Sequence, residues 1–293
     1  ILNGASAANQ FRFHLGYHYP RSQKTVTEIN KSKNLFTSYY GKKIFQKTLN
    51  YYLIANKSRV SSSKYIKFLK RNRLYNKIAK SLFLNKELDK TILTNEKILN
   101  YFIFKKIVSK KIQFSKLKIN LNEEFKKDNL KNYDKVILAT YSNNNQVLKK
   151  LGVKKLDDFK FELVEKIVIK LPKEFSKKSF VVIDGKFVCV DPYLGTNYHL
   201  LSDVKLSKLE TMIGKIPIFK NKNKKYLNKG IIKNIKISRF KRFIKRSSSF
   251  LPFLNKAKYV GSMFVVRVVK KNKENTDERT STVTNHTKKI ISI

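Results

Sequence analysis

The chain has 293 residues, 41% of them hydrophobic and 12% aromatic, which is enough to bury a core divided between two domains and excludes an intrinsically disordered chain. Its formal net charge is +45, from 65 Lys and Arg against 20 Asp and Glu, and such a balance first suggests a polyanionic partner such as nucleic acid. Only ten of the basic residues are Arg, however, and Lys recurs along nearly the whole chain beside abundant Asn and Ile, so the charge reads as a compositional bias and no specific nucleic-acid partner is expected.

After a loop-like opening over residues 2–21, Ser22 is placed to cap a helix running through Thr25, Ile29, Leu35, Phe36, Tyr40 and Phe45. A strand follows at Tyr51-Tyr52-Leu53-Ile54-Ala55, and the serines at 61–63 offer caps for a second helix with Tyr65, Ile66, Phe68 and Leu69 on its apolar side. A third helix is predicted over 98–112, and the alternation from Leu117 to Leu121 predicts a strand. The run Asp134 to Thr140 is nearly continuous in apolar residues, as in a strand buried on both faces of a mainly parallel sheet.

Residues 160–204 hold four short β-rich runs, at 161–164, 167–169, 180–183 and 186–190, and Asp184-Gly185 is a strong hairpin signal between the last two. This region predicts an antiparallel sheet. Residues 221–246 are basic and partly helical, residues 259–269 predict a long strand, and a final strand occupies 289–293. The single Cys189 excludes an internal disulfide and, lying in an apolar run, reads as a buried, inert thiol. No apolar stretch approaches the roughly 20 residues that span a bilayer. A soluble, cytoplasmic protein is therefore expected. Because the chain opens on Ile1 and stops inside a strand, both ends read as cut.

The most unusual segment is residues 3–21, which concentrates two of the four His, two of the ten Arg and several small residues that let backbone approach a ligand. A donor-rich loop beside aromatic faces suits a planar anionic cofactor; an ordinary loop with hydrogen-bonded histidines is the alternative. Tyr198-His199 reads as a surface pair. No metal site is expected.

The pattern Ser6-x-x-Asn9-x-x-Arg12-x-His14-x-Gly16-x-His18-Tyr19-Pro20-Arg21-Ser22 resembles the flavin-contacting segment of FAD-dependent oxidoreductases of the D-amino-acid-oxidase superfamily. Its His-x-Gly-x-x-Tyr core is similar to that of L-2-hydroxyglutarate dehydrogenases. Val136 to Tyr141, Glu162 to Glu165, Asp184 to Phe187, Asp191-Pro192, Leu200 to Val204 and Asp277-Glu278-Arg279 extend the resemblance in order along the chain. It implies an α/β plus antiparallel β fold: a Rossmann-like FAD-binding domain built from discontinuous segments, with an inserted antiparallel-sheet substrate domain. The expected FAD-binding segments are 1–50, 93–157 and 270–293, and the substrate domain takes 51–92 and 158–269.

By the same resemblance Ser6, Asn9, Arg12, His14, Gly16, Ala139 and Thr140 contact FAD, and His18 and Tyr19 face a small-molecule substrate. His14 and Arg21 become the catalytic candidates: a His accepts the proton of a substrate amine or hydroxyl, and an Arg pairs with its carboxylate. Fixing the loop by hydrogen bonds is the other role open to His14. The family's Gly-x-Gly-x-x-Gly turn, which receives the FAD pyrophosphate at a helix N-terminus, has no counterpart here.

A rival reading makes the chain a basic nucleic-acid binder through Lys236, Arg239, Lys241, Arg242, Lys245 and Arg246 with Phe240 and Phe243. The same stretch also fits an amphipathic helix that is charged on one side, with weak electrostatic affinity for an anionic membrane. The resemblance predicts that this chain alone holds FAD weakly or not at all. An absorbance spectrum showing stoichiometric flavin in the purified chain would refute that.

Overall fold

The structure is a computed structural model and describes residues 1–79, 85–185, 188–273 and 275–293. The opening loop carries a short strand, β1 (Arg12–Phe13), and leads into α1 (Gln23–Tyr40), whose cap is Ser22 as expected: its hydroxyl accepts the amide of Thr25. The helix stops before Phe45 because Gly41 turns to φ +81°, a left-handed conformation that ends helices. Phe45 starts β2 (Phe45–Gln46), and β3 (Leu49–Ala55) follows where the β-branched and aromatic run predicted a strand. Ser61 caps α2 (Ser62–Arg71). Next come β4 (Asn76–Ile78), β5 (Leu88–Thr94) and β6 (Lys97–Leu99). α3 (Tyr101–Gln113) begins after Ile98, since the Asn100 side chain accepts the amides of Phe102 and Ile103 and so sets the start.

The predicted strand at Leu117 to Leu121 does not form, and these apolar residues stand exposed, with no partner strand among the described residues. Further on lie β7 (Val136–Leu138), α4 (Asn144–Lys150), β8 (Phe159–Lys170), β9 (Lys178–Ile183), β10 (Val188–Tyr193), β11 (Tyr198–Asp203) and β12 (Lys208–Gly214). The chain ends with α5 (Asn221–Lys224), α6 (Phe240–Ser247), β13 (Lys258–Lys270), β14 (Thr284–Asn285) and β15 (Ile290–Ser292). The two runs at 161–164 and 167–169 are one strand, β8. β9 and β10 pair antiparallel with Val181 opposite Cys189, so the chain reverses near Asp184-Gly185 as predicted; Lys186 and Phe187 lie outside the described residues.

Among the described residues, nine strands form one sheet in the order β12-β8-β11-β10-β9-β3-β5-β4, with β13 added along β8. It is antiparallel except where β3 runs parallel to β9. Two three-stranded sheets, β1-β6-β2 and β14-β15-β7, complete a mixed α/β fold. β7 does pair in parallel with β15, but it is not buried on both faces: Leu138 is covered by α4 while Ile137 is 61% exposed. Only one side of this small sheet carries a layer among the described residues.

Alternation along the strands of the large sheet decides what covers each face. Leu53, Ile167, Ile169, Phe180 and Leu201 point to one side, where α6 and the turn at 252–256 close the core through Phe243, Leu251 and Leu254. The basic helix is therefore a lid on the core. Phe243 is fully buried and Phe240 packs on Tyr259, so neither ring is offered to a base, while Lys241, Arg242 and Lys245 face solvent. His199, expected at the surface, is buried in β11 with its Nε2 2.9 Å from the Phe175 carbonyl. Its alternation phase in the strand puts it inside.

The opposite face receives the opening loop. Phe11 stacks on Tyr193 and touches Tyr101, while Ala8 and Phe11 join Val164, Val168, Leu200, Met263 and Val265 in one cluster. Arg12 reaches down to β10, where Asp191 takes both Nε and Nη2 and Ser179 joins the pair. Burial disfavours the guanidinium charge, and Asp191 more than offsets it, holding the Arg12 pKa above its ordinary value. Asp191→Ala should cost about 3–5 kcal/mol in chemical denaturation, since it leaves a buried cation without its partner. A loss below about 1 kcal/mol would mean that the loop is held by its apolar contacts alone.

Candidate active site

The docked loop bends over the sheet and closes a cavity of about 470 Å³ between residues 14–21, the end of β9, the starts of β8 and β12, and the segment from Arg267 to Arg279. Of the site residues expected from sequence, His14, His18, Tyr19 and Arg21 all line it. The others serve the loop that carries these four. The Asn9 amide donates to the Ala5 and Ser6 carbonyls and its oxygen accepts the Phe11 amide, so Asn9 braces the turn. Gly16 sits at φ +115° against Val26, where a Cβ would meet Val26 Cγ1 at 3.2 Å; it allows close packing and is not among the residues that line this cavity. Arg12, expected as a flavin contact, has a side chain 3% exposed and committed to Asp191. Ser6 lies in a short 3₁₀ turn away from the cavity. Ala139 and Thr140 are on the surface after β7, where Asn144 caps Thr140; the next residue, Tyr141, lines the cavity and accepts the Val268 amide.

Arg21 is at the cavity, yet its fork is occupied. Nε and Nη2 both pair with Asp184, and Nη1 donates to the Asn275 carbonyl. All three of its nitrogens are thus engaged, which departs from the carboxylate-pairing role that the resemblance implied. The lining holds eight Lys and Arg, among them Lys208, Arg267 and Arg279, against three carboxylates, Glu162, Asp184 and Asp277. Glu162 receives Lys208 at 2.7 Å and Arg267; burial raises its pKa, and the two cations outweigh burial and bring it below the ordinary value. The interior of the cavity is positive after these pairs are made.

The histidines differ in setting. His18 is neutral, because burial and then the neighbouring His14 and Arg12 hold its pKa well below the usual value. Its Nδ1 is buried without a partner among the described residues. His14 is 30% exposed and directs Nδ1 at Oε1 of Glu96, 3.1 Å away. Cys189, expected to be buried, is half-buried and reaches the cavity wall; it is held as a thiol, because its desolvation pushes its pKa up to about 12.

Glu96 was not predicted. It stands between β5 and β6 with no motif around it, and only the fold brings it to His14. Lys208 and Arg267 were likewise outside the candidate set, whereas Glu162, Asp277 and Arg279 belong to stretches that carry the family resemblance.

The architecture is the fold of the amino-acid oxidases. The chain is similar to glycine oxidase from Geobacillus kaustophilus, with a TM-score of 0.64 and 11% identity over 92% of this chain and 74% of that one. It is similar also to a mutant of NikD, an unusual amino acid oxidase essential for nikkomycin biosynthesis (TM-score 0.65, 11% identity, 99% and 78% of the two chains). A third similar structure is L-proline dehydrogenase from P. horikoshii (0.59, 9% identity, 94% and 74%). No protein-family model and no curated protein matches the sequence. Among the described residues, no helix is long and apolar enough to cross a membrane.

Beside the cavity, Glu278 gathers Lys24, Lys270 and Lys273 and accepts the Thr280 hydroxyl. That hydroxyl first, and then the lysines, lower its pKa from 4.5 to about 2. A folded-state pKa below the ordinary one contributes stability that is complete above about pH 4.5 and is lost as pH falls toward 2. Glu278→Gln should therefore flatten the acid limb of stability followed by circular dichroism and leave the neutral limb shifted by a constant amount. An unchanged acid limb would remove Glu278 from the account.

Proposed function

We propose that the cavity is the active site of a flavin-dependent oxidoreductase acting on a small amino or 2-hydroxy acid. The observation that carries this reading is the meeting, in one positive cavity, of His14, His18, Tyr19 and Arg21 from the loop that resembles the flavin-contacting segment. The shared fold supports it.

FAD fits the residues present. Its phosphates are drawn by the surplus of cations, and its ring edge offers donors and acceptors of the kind that the unpartnered His18 Nδ1 requires. His14, His18 and Tyr19 are the side chains that would hold it and the substrate. Ser6, Asn9, Arg12, Gly16, Ala139 and Thr140, which the resemblance also implicates, act chiefly by giving the loop its shape or by flanking Tyr141. When bound, FAD supplies a two-electron acceptor for the hydrogen on the substrate carbon.

The chain's own part is to orient and to move a proton. The surplus of cations in the lining draws the substrate carboxylate by charge, with Lys208, Arg267, Arg279 and Arg21 all acting from their pairs with Glu162, Asp277 and Asp184. His14 accepts the proton of the substrate hydroxyl or ammonium, so that departure of the hydride leaves a neutral carbonyl from the alcohol or an iminium cation from the amine. The expected division assigns residues 51–92 and 158–269 to the substrate side of this cavity.

With FAD in excess and salt high enough to displace nucleic acid, anaerobic addition of amino or 2-hydroxy acids should bleach the flavin absorbance. His14→Ala should slow bleaching by about 100-fold. A protein that retains nucleic acid at low salt in preference to FAD, and in whose presence no amino or 2-hydroxy acid bleaches the excess flavin, would overturn the reading in favour of a basic nucleic-acid binder.

A further inference from the structure

Glu96 is one of the least exposed acids of the chain, at 2%, and it meets no lysine or arginine at ion-pair distance among the described residues. Its two oxygens are used differently. Oε1 faces His14 Nδ1 at 3.1 Å, and Oε2 accepts the Tyr52 hydroxyl at 3.2 Å. Its own backbone is fixed too, because the Asn50 amide donates to the Glu96 carbonyl from inside β3. A carboxylate so placed is held in one orientation by a single strand of the large sheet, β3.

An ionised carboxylate only accepts, so the nitrogen that faces it must carry the hydrogen. His14 Nδ1 is then N–H, and the lone pair of the neutral ring is left on Nε2. The edge of the ring that bears Nε2 lies on the far side from Glu96. His14 lines the cavity, and with Nδ1 engaged by Glu96 the ring nitrogen left for a ligand there is Nε2. His18 and Tyr19 pack their rings 5.3 and 5.2 Å from the His14 ring and limit its rotation.

We propose that Glu96 is a positioning residue: it locks His14 in the Nδ1–H tautomer and aims the Nε2 lone pair at the substrate as proton acceptor. This rests on the oxidoreductase reading for the identity of the proton, though not for the tautomer. The substrate O–H or N–H bond breaks, an Nε2–H bond forms, and the resulting imidazolium keeps its Nδ1–H on Glu96, whose charge balances the new cation. Glu96 itself takes no proton.

The test uses the full chain, ¹⁵N-labelled, without cofactor, and reads the His14 tautomer from its two ring nitrogens by NMR. Wild type and Tyr52→Phe should both show Nδ1–H. The double variant Glu96→Met with Tyr52→Phe removes every acceptor facing Nδ1 without stranding the Tyr52 hydroxyl, and its Nδ1–H signal should be lost. In the FAD-supplied protein the same double variant should lower kcat by about 100-fold with KM unchanged.

An Nε2–H tautomer in the wild type overturns the proposal by itself, even if the double variant does not fold. So does an unchanged kcat in a folded double variant. If the tautomer switches as expected but no acid reduces FAD in the wild type, the oxidoreductase reading fails while the tautomer lock stands.

Discussion

Everything at the cavity hangs from a buried ion pair. Residues 2–21 contain few regular hydrogen bonds of their own, and a loop of that composition does not stay in one shape on a flat sheet by propensity. Arg12 supplies the missing constraint by descending through the loop to Asp191 and Ser179 on adjacent strands. The pair has to be complete to be tolerated, since either charge alone would be costly so far from water. Its position two residues before His14 then decides where the histidines fall. Stacking of Phe11 on Tyr193 sets the other end of the same lever.

The charge of the chain looks different once the ion pairs are in view. With 65 basic residues and 20 acids, carboxylates are the scarce resource. Those buried are committed: Asp191 to Arg12, Asp203 to Arg246, Glu162 to Arg267 and Lys208, Asp184 to Arg21. Arginine recurs in these pairs because its planar fork matches two carboxylate oxygens at once. Most lysines stand on solvated faces. Where a buried acid lacks a cation, hydroxyls and amides replace it, as Ser262 and the Arg239 amide do for Glu165. The high net charge is thus largely a property of the surface, and the cavity is a local exception, where cations exceed acids inside a concave wall.

What could be read in the sequence is what local chemistry determines. Ser22 and Ser61 cap helices because a side-chain oxygen three residues before a free amide is a local event, and the hairpin near Asp184 follows from two adjacent residues. The motif of the opening loop led to four residues that do meet at one cavity. Failures mark the places where distant parts decide. Among the described residues, Leu117 to Leu121 alternates like a strand but meets no neighbouring strand, and Ile137 is apolar yet bare because only one face of its sheet is covered. Glu96 lies 82 residues from His14, so no spacing rule connects them. Arg12 and Arg21 were recognised as special, but the acids that occupy them come from β10 and the end of β9. A sequence marks a functional arginine more readily than it shows which partner has already taken it.

The way β8 is shared has a consequence for how the chain assembles. β13 runs along one whole side of β8, while β12 and then β11 occupy the other side in succession. The partners on the second side follow within a few dozen residues, but Val265 must find Val164 across about a hundred residues of intervening chain. During synthesis the 159–214 region can pair among itself while the outer edge of its longest strand stays open. An open edge of that length invites pairing with other molecules, and charges set along it discourage this. Lys160, Glu162 and Lys166 interrupt the apolar run of β8 at alternate positions, on the face that the opening loop later covers. Side chains that end up flanking or lining the cavity in the finished protein therefore also guard the strand while it waits for its last neighbour.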